Sequence, residues 1–134
     1  MSLNEIVFML SENDISYLVR GACFKIYNSL GPGLLESVYE NALAYELQKA
    51  GCEVQTQVPF PVIYEEIKLE IGFRLDLLIN ECVIIEIKSV ENLMDVHYKQ
   101  LLTYLKLTSI QLGLLINFNT TNISKSIIRI VNNL

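Results

Sequence analysis

The chain has 134 residues, the size of one domain, and 51% of them are apolar, which excludes a disordered tail or a polar linker. The formal net charge is −5, and the ten Lys and Arg are scattered, so no basic run of the kind that suits duplex binding stands out. No apolar run reaches the ~18–20 residues of a membrane span, and the start "MSLNEIVFML" lacks a basic leader, so a cytoplasmic protein with no membrane contact is expected.

In chain order, "DISYLVRGACFKIYNSLGPG" places Ile15, Leu18, Val19, Ala22, Cys23, Ile26 and Leu30 at helical spacing. Asp14 is the expected N-cap, and Gly31-Pro32-Gly33 ends the helix. A second helix runs through "LLESVYENALAYELQKAG", with Leu35, Val38, Tyr39, Ala42, Leu43 and Leu47 on one face and Gly51 at its end. "CEVQTQVPFPVIY" carries Pro59 and Pro61, which confine it to an edge strand or a break between short strands. Strands are expected in "IKLEIGFRLDLLI" and "CVIIEIKSV", a helix in "DVHYKQLLTYLKLT", and strands again in "IQLGLLINF" and "SIIRIV". Cys23, Cys52 and Cys82 are odd in number and form no CxxC pair, which fits buried free thiols better than a disulfide framework or a zinc site. The order α-α-β-β-β-β-α-β-β predicts one α/β domain over residues 1–134, built on a mixed sheet, with residues 1–13 flexible or peripheral.

Within "FRLDLLINECVIIEIKS" the odd positions Phe73, Leu75, Leu77, Ile79, Val83, Ile85 and Ile87 are apolar, whereas Arg74, Asp76, Glu86 and Lys88 are even. Strand side chains alternate faces with period 2, so a hairpin that keeps all the odd residues on one face needs an odd-numbered loop, for instance Asn80-Glu81-Cys82. That register sets Asp76 opposite or near Glu86 and gathers the four charges on one face. Two adjacent carboxylates repel unless a cation lies between them. Lys88, Arg74 or a hard divalent ion such as Mg²⁺ or Mn²⁺ meets that need. A solvated sheet face with ordinary ion pairs accounts for the same pattern.

Asp76, nine intervening residues and then Glu86-Ile87-Lys88 resemble the D…ExK signature of the PD-(D/E)XK nuclease superfamily. Gly33-Leu34-Leu35-Glu36-Ser37-Val38-Tyr39 resembles the motif of the bacterial GxxExxY protein family, and the likeness continues through "VPFPVIY", "GFRLDLLI", "VIIEIKSVE", "HYKQLLTYLK" and "GLLINF". The resemblance implies a restriction-endonuclease-like αβββαβ core preceded by a helix pair, and a metal-dependent nuclease acting on DNA or RNA. It implies Asp76 and Glu86 as ligands of Mg²⁺ or Mn²⁺, with the Ile87 carbonyl beside them and Glu36 reaching the ion directly or through water. Lys88 becomes the catalytic lysine. Gln100 and Tyr104, four apart on one helix face, resemble the QxxxY element of helicase-associated nucleases, and His97 shares that face.

Each position also has a plainer use: Glu36 solvated, Tyr39 in the core, His97, Gln100 and Tyr104 capping or packing, and Gly33 shaping a turn. Two other readings of the whole chain stay open here: an inactive nuclease-fold module that binds protein or nucleic acid, and a homodimer with a vestigial site.

Overall fold

A computed structural model describes residues 10–134, and the expectation for residues 1–9 lies outside them. Helix α1 spans Glu12–Leu30 and α2 spans Glu36–Lys49. The N-cap of α1 is Ser11, three residues before the expected Asp14: the Ser11 hydroxyl accepts from Asp14 N–H, and the Asp14 carboxylate accepts from Ser11 N–H. Asp14 thus fills the third helical position of a reciprocal capping box. At the other end of α2, Cys52 N–H reaches Leu47 C=O and Gly51 N–H reaches Gln48 C=O, a Schellman stop that needs the positive φ of Gly51.

The strands are β1 (Val54–Phe60), β2 (Ile63–Tyr64), β3 (Ile67–Lys68), β4 (Phe73–Ile79), β5 (Val83–Lys88), β6 (Leu112–Asn117) and β7 (Ile127–Val131); helix α3 (Asp95–Thr108) lies between β5 and β6. Five of them form one sheet in the order β1-β4-β5-β6-β7, while β2 and β3 form a separate two-residue ribbon. Strand β1 is an edge, as Pro59 within it requires. Only β5 and β6 run parallel, and α3 supplies the crossover that such a pair needs. The fold is α/β, with a restriction-endonuclease-like arrangement of helices on a mixed sheet.

Both sheet faces are covered. Leu77, Ile79, Val83, Ile85 and Ile87 pack with Ile15, Val19, Cys23, Leu43 and Leu47 of α1 and α2. On the reverse face Leu78, Ile84 and Leu115 pack with Leu101 and Leu105 of α3. Strands buried on both faces lose clean alternation, which is why "LDLLI" and "VIIEI" read as nearly continuous apolar runs.

The alternation also breaks in a way that parity does not show. Leu75 joins the α3-side core, whereas Leu77, two residues on, joins the α1/α2-side core. Val58, opposite Leu75 on β1, moves to the α3 side with it. Between them lie Asp76 and, opposite it, Gln57, which adopts φ 51°. A left-handed residue in an edge strand twists the ribbon locally, and both strands exchange faces there. Phe73 and Leu75 therefore do not share a face with Leu77 and Ile79, contrary to the odd/even expectation. Arg74 stands exposed near Pro59, Phe60 and Ile71 and makes no ion pair with Asp76.

Helix α3 sits close to the sheet because Gly113 of β6 has no side chain. A Cβ there would fall 2.9 Å from Leu101 Cγ and Cδ1. Gly113→Ala should push α3 outward and destabilise the domain by about 1–3 kcal/mol, the usual range for overpacking. Urea denaturation monitored by far-UV circular dichroism checks it; an unchanged midpoint contradicts this packing.

Candidate active site

The β4–β5 loop has the three residues that parity requires, since Leu77 pairs with Ile85, Leu78 with Ile84 and Ile79 with Val83. Asn80 and Glu81 adopt positive φ there. The buried Asn80 also clamps the start of β1, accepting from Glu53 N–H at 2.7 Å while its own N–H donates to Glu53 C=O at 2.9 Å. Asp76 and Glu86 are next in this register, but the backbone ladder ends at Leu77 and Ile85.

Side chains take over where the ladder stops. Asp76 N–H donates to Glu86 Oε2 at 2.8 Å, and Ile87 N–H donates to Asp76 Oδ2 at 2.9 Å. Each strand's carboxylate thus accepts from the other strand's backbone. The arrangement satisfies donors that the splayed strands leave open and holds the two carboxylates side by side. Their second oxygens, Asp76 Oδ1 and Glu86 Oε1, accept no hydrogen bond from the described residues.

The Gly-Pro-Gly turn brings α2 to this gap. Gly31 and Gly33 have φ 70° and 95°, conformations that disfavour other residues. Tyr39, fully buried and stacked on Phe118 at 4.3 Å, donates its hydroxyl to Gly31 C=O and accepts from Leu34 N–H. Ser89, just past β5, donates to Leu34 C=O. The Gly and Tyr of the G-x-x-E-x-x-Y spacing therefore shape and tie the turn, and Glu36 becomes the first residue of α2. Tyr39 is core, as its plainer reading had it.

One turn further along α2 is Glu40, which was not singled out from the sequence. Gln57 Nε2 donates to both Glu40 oxygens, at 2.8 and 2.9 Å. Burial pushes the Glu40 carboxyl up, and the charges of Asp76 and Glu36 add to that. Glu40 therefore belongs to the same acidic cluster. Its i,i+4 spacing from Glu36 was the available signal; Gln57 had none, since only the β1–β4 pairing brings it opposite Asp76.

On the α3 side, Glu86 is only 4% exposed. Burial first, then the Asp76 charge, push its carboxyl up to about 8, partly offset by the hydrogen bond from Asp76 N–H and the charge of Lys88. Lys88, half-buried two residues on, acts on Glu86 through space without an ion-pair contact. Tyr104 stacks on Phe73 at 4.3 Å, and burial together with the Glu86 and Asp76 charges raises its phenol pKa. Gln100 is exposed one turn before Tyr104. His97 has a local structural task, its Nδ1 accepting Met94 N–H at 3.0 Å at the start of α3. Seven residues of helix set it roughly 10 Å along the axis from Tyr104. The structure thus brings Asp76, Glu86, Lys88, Tyr104, Glu36 and Glu40 to one gap, whereas Gln100 is exposed on α3 and His97 stands at the helix end.

The sequence profile of the PD-(D/E)XK nuclease superfamily matches residues 13–130. The chain belongs to the PD-(D/E)XK nuclease superfamily. No curated protein and no solved structure matches it. No helix among the described residues is long and apolar enough to cross a membrane.

Nucleases of the PD-(D/E)XK superfamily typically use divalent metals. Among the described residues, no three His, Cys, Asp or Glu side chains form a ready cage. The donor set nevertheless suits a hard cation that retains waters. It is all oxygen, with one free carboxylate oxygen on each of two adjacent strands.

A carboxyl raised on folding holds a proton that the unfolded chain releases near its ordinary value of 4.5. Between that pH and about 8 the folded state binds more protons, so stability falls as pH rises. The metal-free domain should lose on the order of 3 kcal/mol between pH 5 and pH 8. Glu86→Gln should flatten most of that slope. Urea titrations with a chelator across this range check it, and an equal slope in both proteins would contradict a raised Glu86.

Proposed function

We propose that this domain is a divalent-metal-dependent nuclease of the GxxExxY type, hydrolysing phosphodiester bonds of nucleic acid in the bacterial cytoplasm. The single observation that carries the reading is the reciprocal bracing of Asp76 and Glu86 across a gap in the sheet, with Lys88 on the same strand as Glu86. A structural ion pair would set a cation within contact distance of one carboxylate. Among the described residues the ion pair present is Lys25–Glu46, on the outer surface of α1 and α2.

Asp76 and Glu86 would hold Mg²⁺ or Mn²⁺, with the Ile87 carbonyl as a further ligand and Glu36 contributing through water. Bound there, the ion supplies Lewis-acid polarisation of a phosphate oxygen and lowers the pKa of a coordinated water. The residues supply the rest. The Asp76 and Glu86 carboxylates are fixed before any ligand arrives, because backbone N–H groups grip one oxygen of each. Lys88 brings positive charge to a strongly acidic cluster, orienting the attacking water and stabilising the charge that develops on the phosphoryl group. Tyr104 stands on the α3 side of the site, with Gln100 one turn earlier on the same helix. Glu40, gripped by Gln57, lies within electrostatic reach of Asp76 from the α2 side.

Purified protein should cleave single- or double-stranded DNA or RNA with Mg²⁺ or Mn²⁺ and not with a chelator. Asp76→Asn and Lys88→Ala should each lower the rate at least about 100-fold, the scale for removing one transition-state contact. Equal cleavage by wild type and Lys88→Ala would show that the activity is a contaminant.

Metal binding has an independent readout. A ligand at ten times its dissociation constant stabilises by roughly 1.4 kcal/mol, a melting shift of about 4–6 °C for a domain of this size. The wild type should show that shift and Asp76→Asn much less. If neither ion moves the wild-type melting temperature, the fold serves as a binding module instead.

A further inference from the structure

A cavity of about 520 Å³ opens at the carboxyl ends of β5 and β6, and Asp76, Glu86 and Lys88 are not among its lining residues. In open α/β sheets, ligands bind outside the carboxyl ends of parallel strands, and β5–β6 is the parallel pair of this sheet. The cavity adjoins the Glu86–Lys88 end of β5. Asn117, on its wall, is the β6 register partner of Lys88, so it begins one strand spacing, about 4.8 Å, from the catalytic lysine. Pro32 of the Gly-Pro-Gly turn forms another wall.

Asn117 itself is structural. It is buried, donates to Val90 C=O and accepts from the N–H groups of Val90 and Asn119, which fixes the two loops that shape the cavity. Around this rigid floor stand Asn92, Asn119, Thr121 and Lys125, whose side chains make no hydrogen bond to the described chain, and the half-buried ring of Tyr98. Unused amides and hydroxyls beside an aromatic ring offer hydrogen bonds and a stacking face.

The charge balance narrows the ligand. Lys125 and Glu91 are the cavity's charged residues, so it is close to neutral. Grip on a duplex backbone needs several clustered cations. A nucleobase needs few: it is flat, neutral and edged with donors and acceptors, which Asn and Thr can meet and Tyr can stack on. One phosphate beside that base is matched by one ammonium.

We propose that this cavity is a subsite for one nucleotide of a single-stranded substrate, its base against Tyr98 and its phosphate at Lys125, next to the phosphodiester presented to Asp76, Glu86 and Lys88. The assignment rests on the nuclease reading and makes single strands the preferred substrate class. It also accounts for an acidic protein without a basic stripe acting on nucleic acid: hold comes from base contacts more than from phosphate neutralisation.

The test is fluorescence anisotropy with short labelled oligonucleotides, single-stranded and duplex, in a chelator at fixed salt so that no cleavage occurs. The wild type should bind single strands more tightly than duplex. Tyr98→Leu, which keeps the packing volume but removes the stacking face, and Lys125→Gln, at an exposed position, should each weaken binding about 5-fold or more. Melting curves establish that both variants are folded, and Lys125→Gln decides alone if Tyr98→Leu is not. Unchanged affinity, duplex preference or no binding would overturn the subsite. So would binding of a labelled mononucleotide without any oligonucleotide binding, which would point to a mononucleotide ligand. Tyr98- and Lys125-dependent binding without cleavage under any metal would sink the nuclease reading and leave the subsite. Metal-dependent cleavage that neither substitution alters, in rate or in affinity, would do the reverse.

Discussion

Two hydrogen bonds hold the centre of this molecule together: Asp76 N–H to Glu86 Oε2 and Ile87 N–H to Asp76 Oδ2. They stand where backbone-to-backbone pairing between β4 and β5 would otherwise continue. A simple fraying of the strands would leave two donors unmet beside a buried core, which is costly. Filling those positions with carboxylates satisfies the donors and opens a gap in the sheet at the same stroke. The helices then meet at that gap from opposite faces, α2 bringing Glu36 and Glu40 and α3 bringing Tyr104.

The same arrangement concentrates negative charge. Glu86 is buried beside Asp76, Glu40 lies within electrostatic reach of both, and Lys88 provides the nearby positive charge without contact. Burial first, and then the Asp76 charge, whose repulsion is strengthened by loss of solvent, keep the Glu86 proton well above the usual carboxylate range. Such a cluster works against the fold in the absence of a cation, a common trade at functional sites. The compensation is spread through the neighbouring structure. The Gln57 amide grips Glu40, Tyr39 ties the Gly-Pro-Gly turn, and Asn80 and Asn117 brace the loops at either end of β5. Each of these polar groups is matched, so the surroundings of the cluster are rigid although the cluster itself is strained.

Much of this was legible residue by residue. Helical periodicity located α1, α2 and α3, Pro59 and Pro61 marked an edge strand, and the parity of Phe73 to Lys88 implied a three-residue hairpin loop with Asp76 facing Glu86. Parity failed at Leu75, because alternation presumes an unbroken pleat and Gln57 breaks it from a neighbouring strand. Arg74, counted among the clustered charges, is exposed and makes no ion pair with them. Asp14 looked like a helix cap because it belongs to one, as the partner of Ser11 and not as the cap itself. His97, on the same helix face as Gln100 and Tyr104, is held at the helix start by Met94.

What the sequence by itself determined is the set of elements and the local chemistry: periods of 3.6 and 2, stops at Gly and Pro, and two carboxylates and a lysine at fixed spacing on adjoining strands. Those properties depend on near neighbours along the chain, and near neighbours are written in it. Tertiary structure decided the rest. Gln57 faces Asp76, Glu40 joins Glu36, and Asn117 stands beside Lys88 because strands and helices distant in sequence pack on one another. The sheet opens at Asp76 for a related reason: the donors freed where the two strands part are half-buried, and carboxylates from the facing strands accept them.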